Sequence, residues 1–194
     1  MKKIAIFASG SGSNAENIIR FFAKNPEISV NSIFCNVPGA YVLERAKKYH
    51  IPAYVFNREE MKNPEKLLCQ LKEQEIDFIV LAGFLWLMPS CITAAYPNRI
   101  INIHPALLPK FGGKGFYGLN VHKAVLAAGE TESGATVHYV DAGTDTGQII
   151  RQTRVPVEPG DTPETLAARV LEAEHRLLPE VVADLCREKA NKTL

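Results

Sequence analysis

Short, wholly apolar runs recur through the first half of this chain, and stretches of helical periodicity separate them. Ile4–Ala8 and Asp77–Ala82 (Asp-Phe-Ile-Val-Leu-Ala) do not alternate polar with apolar residues. A strand of that kind is buried on both faces, so it belongs to a parallel sheet with helices above and below. Ser29–Asn36, Ala53–Phe56 and Ile100–His104 read as further strands. Asn14–Ala23, Tyr41–Tyr49 and Pro64–Gln74 read as helices, the last with Leu67, Leu68 and Leu71 on one face. Beyond residue 105 the pattern changes. A glycine-rich loop, Phe111–Gly118, leads to a helix at Leu119–Ala128. Ala135–Val140 and Gln148–Val157 then flank the turn-forming Asp141-Ala-Gly-Thr-Asp-Thr-Gly147, which predicts an antiparallel addition. A terminal helix starts near Pro163, capped by Asp161 or Thr162. It runs towards Lys189, either unbroken or broken at Pro179, and Lys189–Leu194 reads as a frayed tail. The fold class is α/β: a mostly parallel twisted sheet with an antiparallel C-terminal addition.

Composition excludes several kinds of partner. A net charge of +1 over 194 residues offers no field for nucleic acid or an anionic membrane, so any bound anion must be held by local geometry. No apolar run reaches spanning length. Cys35, Cys69, Cys91 and Cys186 form no C-x-x-C pair, and the start of the chain lacks a signal-peptide pattern. Reduced, mostly buried thiols in a cytoplasmic protein are expected.

Asn102 and His104 close the strand Ile100–His104. Alternation places both on one face, opposite Ile101 and Ile103. A carboxamide beside an imidazole at a strand's carboxyl end can hold an oxyanion and move a proton. The other histidines read differently. His50 belongs to the surface, His175 has a structural role, His138 packs inside, and His122 stands evenly between site and packing. Asp145 or Asp141 is the candidate carboxylate partner, although either residue also suits a turn. A metal site from His104, His122, His138 and Asp145 lacks ligand spacing, so none is expected.

The segment Ala8-Ser-Gly-Ser-Gly-Ser-Asn-Ala15 joins the first strand to the first helix. Amides at such a turn bind phosphate without a lysine, with Gly10 and Gly12 allowing close approach. The same spacing weakly fits a dinucleotide fingerprint. However, the second strand ends Phe34-Cys35-Asn36 instead of in an acidic residue, so a single phosphate is the better expectation.

Taken in order, Ser9-Gly-Ser-Gly-Ser-Asn14, Leu81-Ala-Gly-Phe84, Ile101-Asn-Ile-His-Pro-Ala-Leu-Leu-Pro109, Ser133–Val140 and the Asp145-x-Gly147 turn resemble the glycinamide ribonucleotide formyltransferases. The resemblance covers nearly the whole chain. It implies one Rossmann-like, three-layer formyltransferase domain over residues 1–194. Residues 1–105 form the phosphate-binding half, and 106–194 form the folate-side half with the terminal helix. The implied activity is formyl transfer from 10-formyltetrahydrofolate, a co-substrate, to the amine of phosphoribosylglycinamide in purine biosynthesis. The alternative is a hydrolase of the same type that uses water. A tRNA-directed relative would need a further domain and a basic surface.

Carried over residue by residue, Asn102, His104 and Asp145 match the catalytic set. Gly12, Ser13 and Asn14 match the phosphate loop, and Glu174 matches a ribose contact. Leu85, Trp86, Leu87, Met88, Asn102 and Asp141 match folate contacts, and Arg58 is the one nearby candidate for a folate-side arginine. Only small-molecule partners are implied, for a monomer or homodimer. The loop 111–118 is longer than in some relatives.

Overall fold

The computed structural model describes residues 1–188. Its strands are β1 (Lys2–Ala8), β2 (Ile28–Cys35), β3 (Ala53–Val55), β4 (Phe78–Leu81), β5 (Ile100–His104), β6 (Glu132–Tyr139) and β7 (Ile149–Pro156). The helices are α1 (Ser13–Phe22), α2 (Tyr41–Lys48), α3 (Arg58–Lys62), α4 (Glu65–Glu73), α5 (Ser90–Ala95), α6 (Leu119–Ala127) and α7 (Pro163–Glu188). The strands form one sheet in the order β3-β2-β1-β4-β5-β6-β7. Pairing is parallel from β3 to β5, while β6 and β7 join antiparallel, in the Rossmann-like manner expected. The chain leaves β1 on one side and returns to its other side through β4. That reversal opens a crevice at the strands' carboxyl ends, where ligands bind in such sheets.

Alternation along the strands explains the two core layers. Ile4, Ile6, Ile33, Val80 and Ile101 face one apolar cluster with α1 and α7. Ala5, Phe7, Phe34, Ile79 and Ile100 face the other with α4 and α5. Phe7 stacks on Phe34 at 4.8 Å. At the first junction Gly12 has φ of 72°, and a Cβ there would collide with Val42 of α2. Only glycine satisfies both conditions. Ser9 ties the crevice together: its hydroxyl donates to Asn36 Oδ1 (2.6 Å) and accepts from the Leu85 amide (3.0 Å).

Several expectations are settled or corrected. Of the two readings of the terminal helix the unbroken one holds, with Pro179 carried inside α7. A proline cannot donate to the carbonyl four residues back, and Asn17 Nδ2 of α1 takes that place, donating to the His175 carbonyl at 2.5 Å. Thr162 caps α7: its hydroxyl accepts from the Thr165 amide while Thr165 Oγ1 accepts from the Thr162 amide. Asp161 instead pairs with Arg169. The short helix α3 has no counterpart among the expected elements. Its signal is the capping box Asn57-x-x-Glu60, because five residues are too few for periodicity. Only Cys35 and Cys186 are buried; Cys69 and Cys91 are exposed, and none of the four is in a disulfide. The expected frayed tail, Lys189–Leu194, lies outside the described residues. Among the described residues, no helix is long and apolar enough to cross a membrane.

Candidate active site

Asn102 and His104 do share a face, and a third group joins them from the turn after β6. Asp145 is held at φ of 57°, a left-handed conformation that an aspartate tolerates. Its Oδ2 lies 3.5 Å from His104 Nδ1, and its Oδ1 accepts from Asn102 Nδ2 at 3.3 Å. The Gly113 amide donates to Oδ2 at 3.0 Å. Of the two aspartates, Asp145 is therefore the one at the strand end. Asp141 shapes the turn, accepting from the Gly143 amide and the Thr146 hydroxyl, and also borders the cavity.

His138 is a member of this cluster, although its alternation with Thr136 and Val140 suggests packing. The antiparallel register sets it directly opposite Asn102, and its Nε2 lies 3.1 Å from Asn102 Nδ2. The ring is buried as expected but faces the site as well as the core. Only the pairing of β5 with β6 reveals this, and no local pattern encodes it.

Backbone carbonyls fix both imidazoles. His104 Nε2 lies 2.7 Å from the Phe111 carbonyl, which can only accept, so Nε2 carries a hydrogen. Nδ1, on the Asp145 side, is then the nitrogen that gains and loses the proton. The Tyr139 carbonyl likewise puts the hydrogen of His138 on Nδ1 at 2.8 Å, leaving Nε2 to accept from Asn102 when the ring is neutral.

Burial pushes the His104 pKa below the ordinary histidine value. Asp145 and the Phe111 carbonyl each make the ring more basic, as a carboxylate beside an imidazole does, but burial outweighs them. Burial pushes the Asp145 carboxyl up, but the neighbouring His138 and His104 rings and the hydrogen bond from the Gly113 amide together hold it below its usual range. At neutral pH the site thus pairs a neutral His104 with an ionised Asp145.

The cluster lies in a cavity of about 870 Å³. One end is apolar, with Phe84, Leu85, Trp86, Leu87, Met88 and Val140. Met88 is buried, while Leu85 and Leu87 stand 59% exposed at the rim. At the other end Ser13 and Asn14 begin α1, where the first helical amides have no intrahelical partners, and Gly12 shapes the turn from behind. Glu174 of α7 reaches the same end and accepts from Asn14 Nδ2 at 2.6 Å. Burial raises its pKa to about 7, against a smaller opposing effect from that hydrogen bond.

His122 also lines the cavity, buried and with Nδ1 unpartnered, so it falls on the site side of its even reading. His50 is exposed, and His175 lies outside the cavity lining. Arg58 does not line the cavity either: its guanidinium sits over the Trp86 ring at 5.1 Å. Among the described residues no group of three or more His, Cys, Asp or Glu is arranged to hold a metal.

Comparison with known proteins extends this geometry. A sequence model described as formyl transferase matches residues 2–182. The chain is 44% identical to the chloroplastic phosphoribosylglycinamide formyltransferase of Arabidopsis thaliana, over 97% of this chain and 66% of that protein, just under two thirds of its length. It is 40% identical to the phosphoribosylglycinamide formyltransferase of Bacillus subtilis, over 95% of each. The crystal structure of the phosphoribosylglycinamide formyltransferase of Anaplasma phagocytophilum superposes with a TM-score of 0.89 at 35% identity, covering 97% of this chain and 88% of that one. Because the family match runs from β1 into α7, it takes in every strand of the sheet and every side chain at the floor of the cavity, and the chain belongs to the formyl transferase family.

Proposed function

We propose that this protein transfers a formyl group from 10-formyltetrahydrofolate to the amine of N1-(5-phospho-D-ribosyl)glycinamide, in de novo purine biosynthesis. The observation that carries the reading is the continuity of one cavity. It joins an apolar slot for a flat ring, the Asn102–His104–Asp145 cluster, and a polar end made by Ser13, Asn14 and Glu174. Its volume lies in the range of small-molecule sites, and its elongated lining suits two substrates meeting at the centre. The names of the relatives point to the same reaction.

In this reading Leu85–Met88 and the 141–145 turn hold the pteridine of the donor, which supplies the formyl group. The α1 amides at Gly12–Asn14 hold the acceptor's phosphate and Glu174 its ribose. Arg58 supports the donor side through Trp86. Asn102 Nδ2 meets the oxyanion that develops on the formyl oxygen. Its 3.3 Å contact to Asp145 is the weaker of its two hydrogen bonds and is the one redirected. His104 enters neutral and accepts at Nδ1 the proton released when the acceptor nitrogen bonds to the formyl carbon. Asp145 stabilises the imidazolium. The same proton then passes to the departing folate nitrogen as its bond to the formyl carbon breaks. The chain would work as one domain, as a monomer or homodimer, and four cysteines outside any disulfide suit a cytoplasmic location.

The test is an absorbance assay of folate with 10-formyltetrahydrofolate as donor. Deformylation that requires the ribonucleotide supports the reading. Formate release at the same rate in its absence would assign the chain to hydrolysis instead.

A further inference from the structure

The cavity would admit a phosphate dianion and an anionic folate, yet three carboxylates, Asp141, Asp145 and Glu174, already line it. Among the described residues lining it, Lys114 is the one lysine or arginine. The amides at the start of α1 offer dipoles but no full positive charge, and α7 turns Ala167, Val170, Leu171 and Glu174 into the space without a cation. The cations in contact with the glycine loop and the first turn of α1 are engaged elsewhere. Arg45 Nε donates to the Ser11 carbonyl at 2.8 Å, and Arg45 and Lys48 both pair with Glu16. Neither lines the cavity.

Lys114 is presented by a defined turn. The Phe116 amide donates to the Gly113 carbonyl at 3.2 Å, which puts Lys114 and Gly115 at the corner, and Gly115 has φ of 94°. A positive φ at the third residue is what a type II turn needs. One end of this segment is pinned at Gly113 to Asp145, and the other opens into α6, which packs along α7 at the polar end. No hydrogen bond or ion pair holds the Lys114 ammonium among the described residues, and the side chain is exposed at the mouth.

Building on the function proposed above, we propose that Lys114 is the counter-cation for the acceptor's phosphate monoester. It supplies the charge that the α1 amides lack and makes the site select a phosphorylated acceptor over its nucleoside. The phosphate is preferred to the folate's glutamate carboxylate because the loop runs on into the α6–α7 wall beside Glu174. The apolar end, by contrast, opens to solvent at the exposed Leu85 and Leu87, which gives the donor's tail an exit away from Lys114.

Lys114→Met keeps the apolar stem and removes the charge, and Lys114→Arg keeps the charge. Loss of one charge-assisted contact predicts a rise of about tenfold or more in KM for the ribonucleotide with Lys114→Met, confined to KM and mostly restored in Lys114→Arg. The dephosphorylated acceptor should not distinguish Lys114→Met from wild type. Calorimetric binding of ribose 5-phosphate should weaken by a similar factor. That binding measurement needs no turnover, so it reads the phosphate assignment even if the proposed reaction fails. An unchanged KM for the ribonucleotide, an equal loss with the nucleoside, or a loss appearing in the KM for polyglutamylated folate would each overturn the assignment.

Discussion

At the residue scale, the protonation of His104 is decided by burial, against which a backbone carbonyl and a carboxylate both pull. The Phe111 carbonyl dictates that Nδ1 titrates, and burial makes that nitrogen reluctant to hold a proton. The acid limb of the kcat/KM profile should therefore fall below the ordinary histidine value. Asp145→Asn should displace it to still lower pH, because the group that favours the imidazolium is gone. Asparagine tolerates the left-handed backbone at this position, so the turn should survive the substitution. An acid limb left in place would remove Asp145 from the account. Asn102→Ala should lower kcat by about two to three orders of magnitude, with little change in acceptor KM, in steady-state assays. The Asn102/His104 pair was legible in the sequence because strand alternation is a local rule. His138 was not, because its position depends on which residue of β5 it faces, a pairing fixed only when two distant segments meet.

Between the elements, the contact of α1 with α7 replaces a hydrogen bond that the sequence forbids. Pro179 leaves the His175 carbonyl without its helical donor, and Asn17 supplies one from the neighbouring helix. Asn17→Ala should cost about 1–2 kcal/mol in urea denaturation by stranding that carbonyl. In a Pro179→Ala background the helix can satisfy it internally, so the same substitution should cost measurably less. Equal costs in the two backgrounds would mean that Asn17 acts through some other contact. Read alone, a proline inside a helical pattern leaves a break and a continuous helix both open. What keeps α7 continuous is a partner 158 positions away in sequence, and that is why the local pattern does not decide between them. The parallel strands were readable for the opposite reason: runs such as Phe78–Leu81, buried along their whole length, announce their surroundings without reference to any partner.

Across the whole molecule, buried ionisable groups set opposing limits on stability. Glu174 holds its proton up to about pH 7 in the fold, against an ordinary value of 4.5. Its favourable linkage is complete below the ordinary value and is lost as pH rises through about 7. That interval corresponds to about 3 kcal/mol. Glu174→Gln should therefore raise stability at pH 8 to 9 by an amount approaching this figure, and by nearly nothing near pH 4.5. Thermal or chemical unfolding across that range reads it, and acceptor KM should rise in the same variant. His104, His122 and His175 act in the other sense. Burial lowers each of them, so their contribution is present above the ordinary histidine value and is lost as pH falls below it. Over roughly pH 4.5 to 7 the two effects therefore oppose each other, and above that range neither changes further. The ionisation cost at Glu174 is borne at the polar end of the cavity, where the proposed function needs a hydrogen-bonding carboxyl.

Trp86 is the one tryptophan of the chain, and it lies on the cavity wall with Phe56 at its edge and Arg58 over its face. The protein thus carries its one tryptophan, which can be excited selectively over its tyrosines, at the apolar end of the cavity. Emission should be quenched or shifted as a pteridine enters and should stay nearly constant when ribose 5-phosphate is added alone. Titrating the two ligands in either order would then report whether one end of the cavity senses occupancy of the other, with no formyl group transferred.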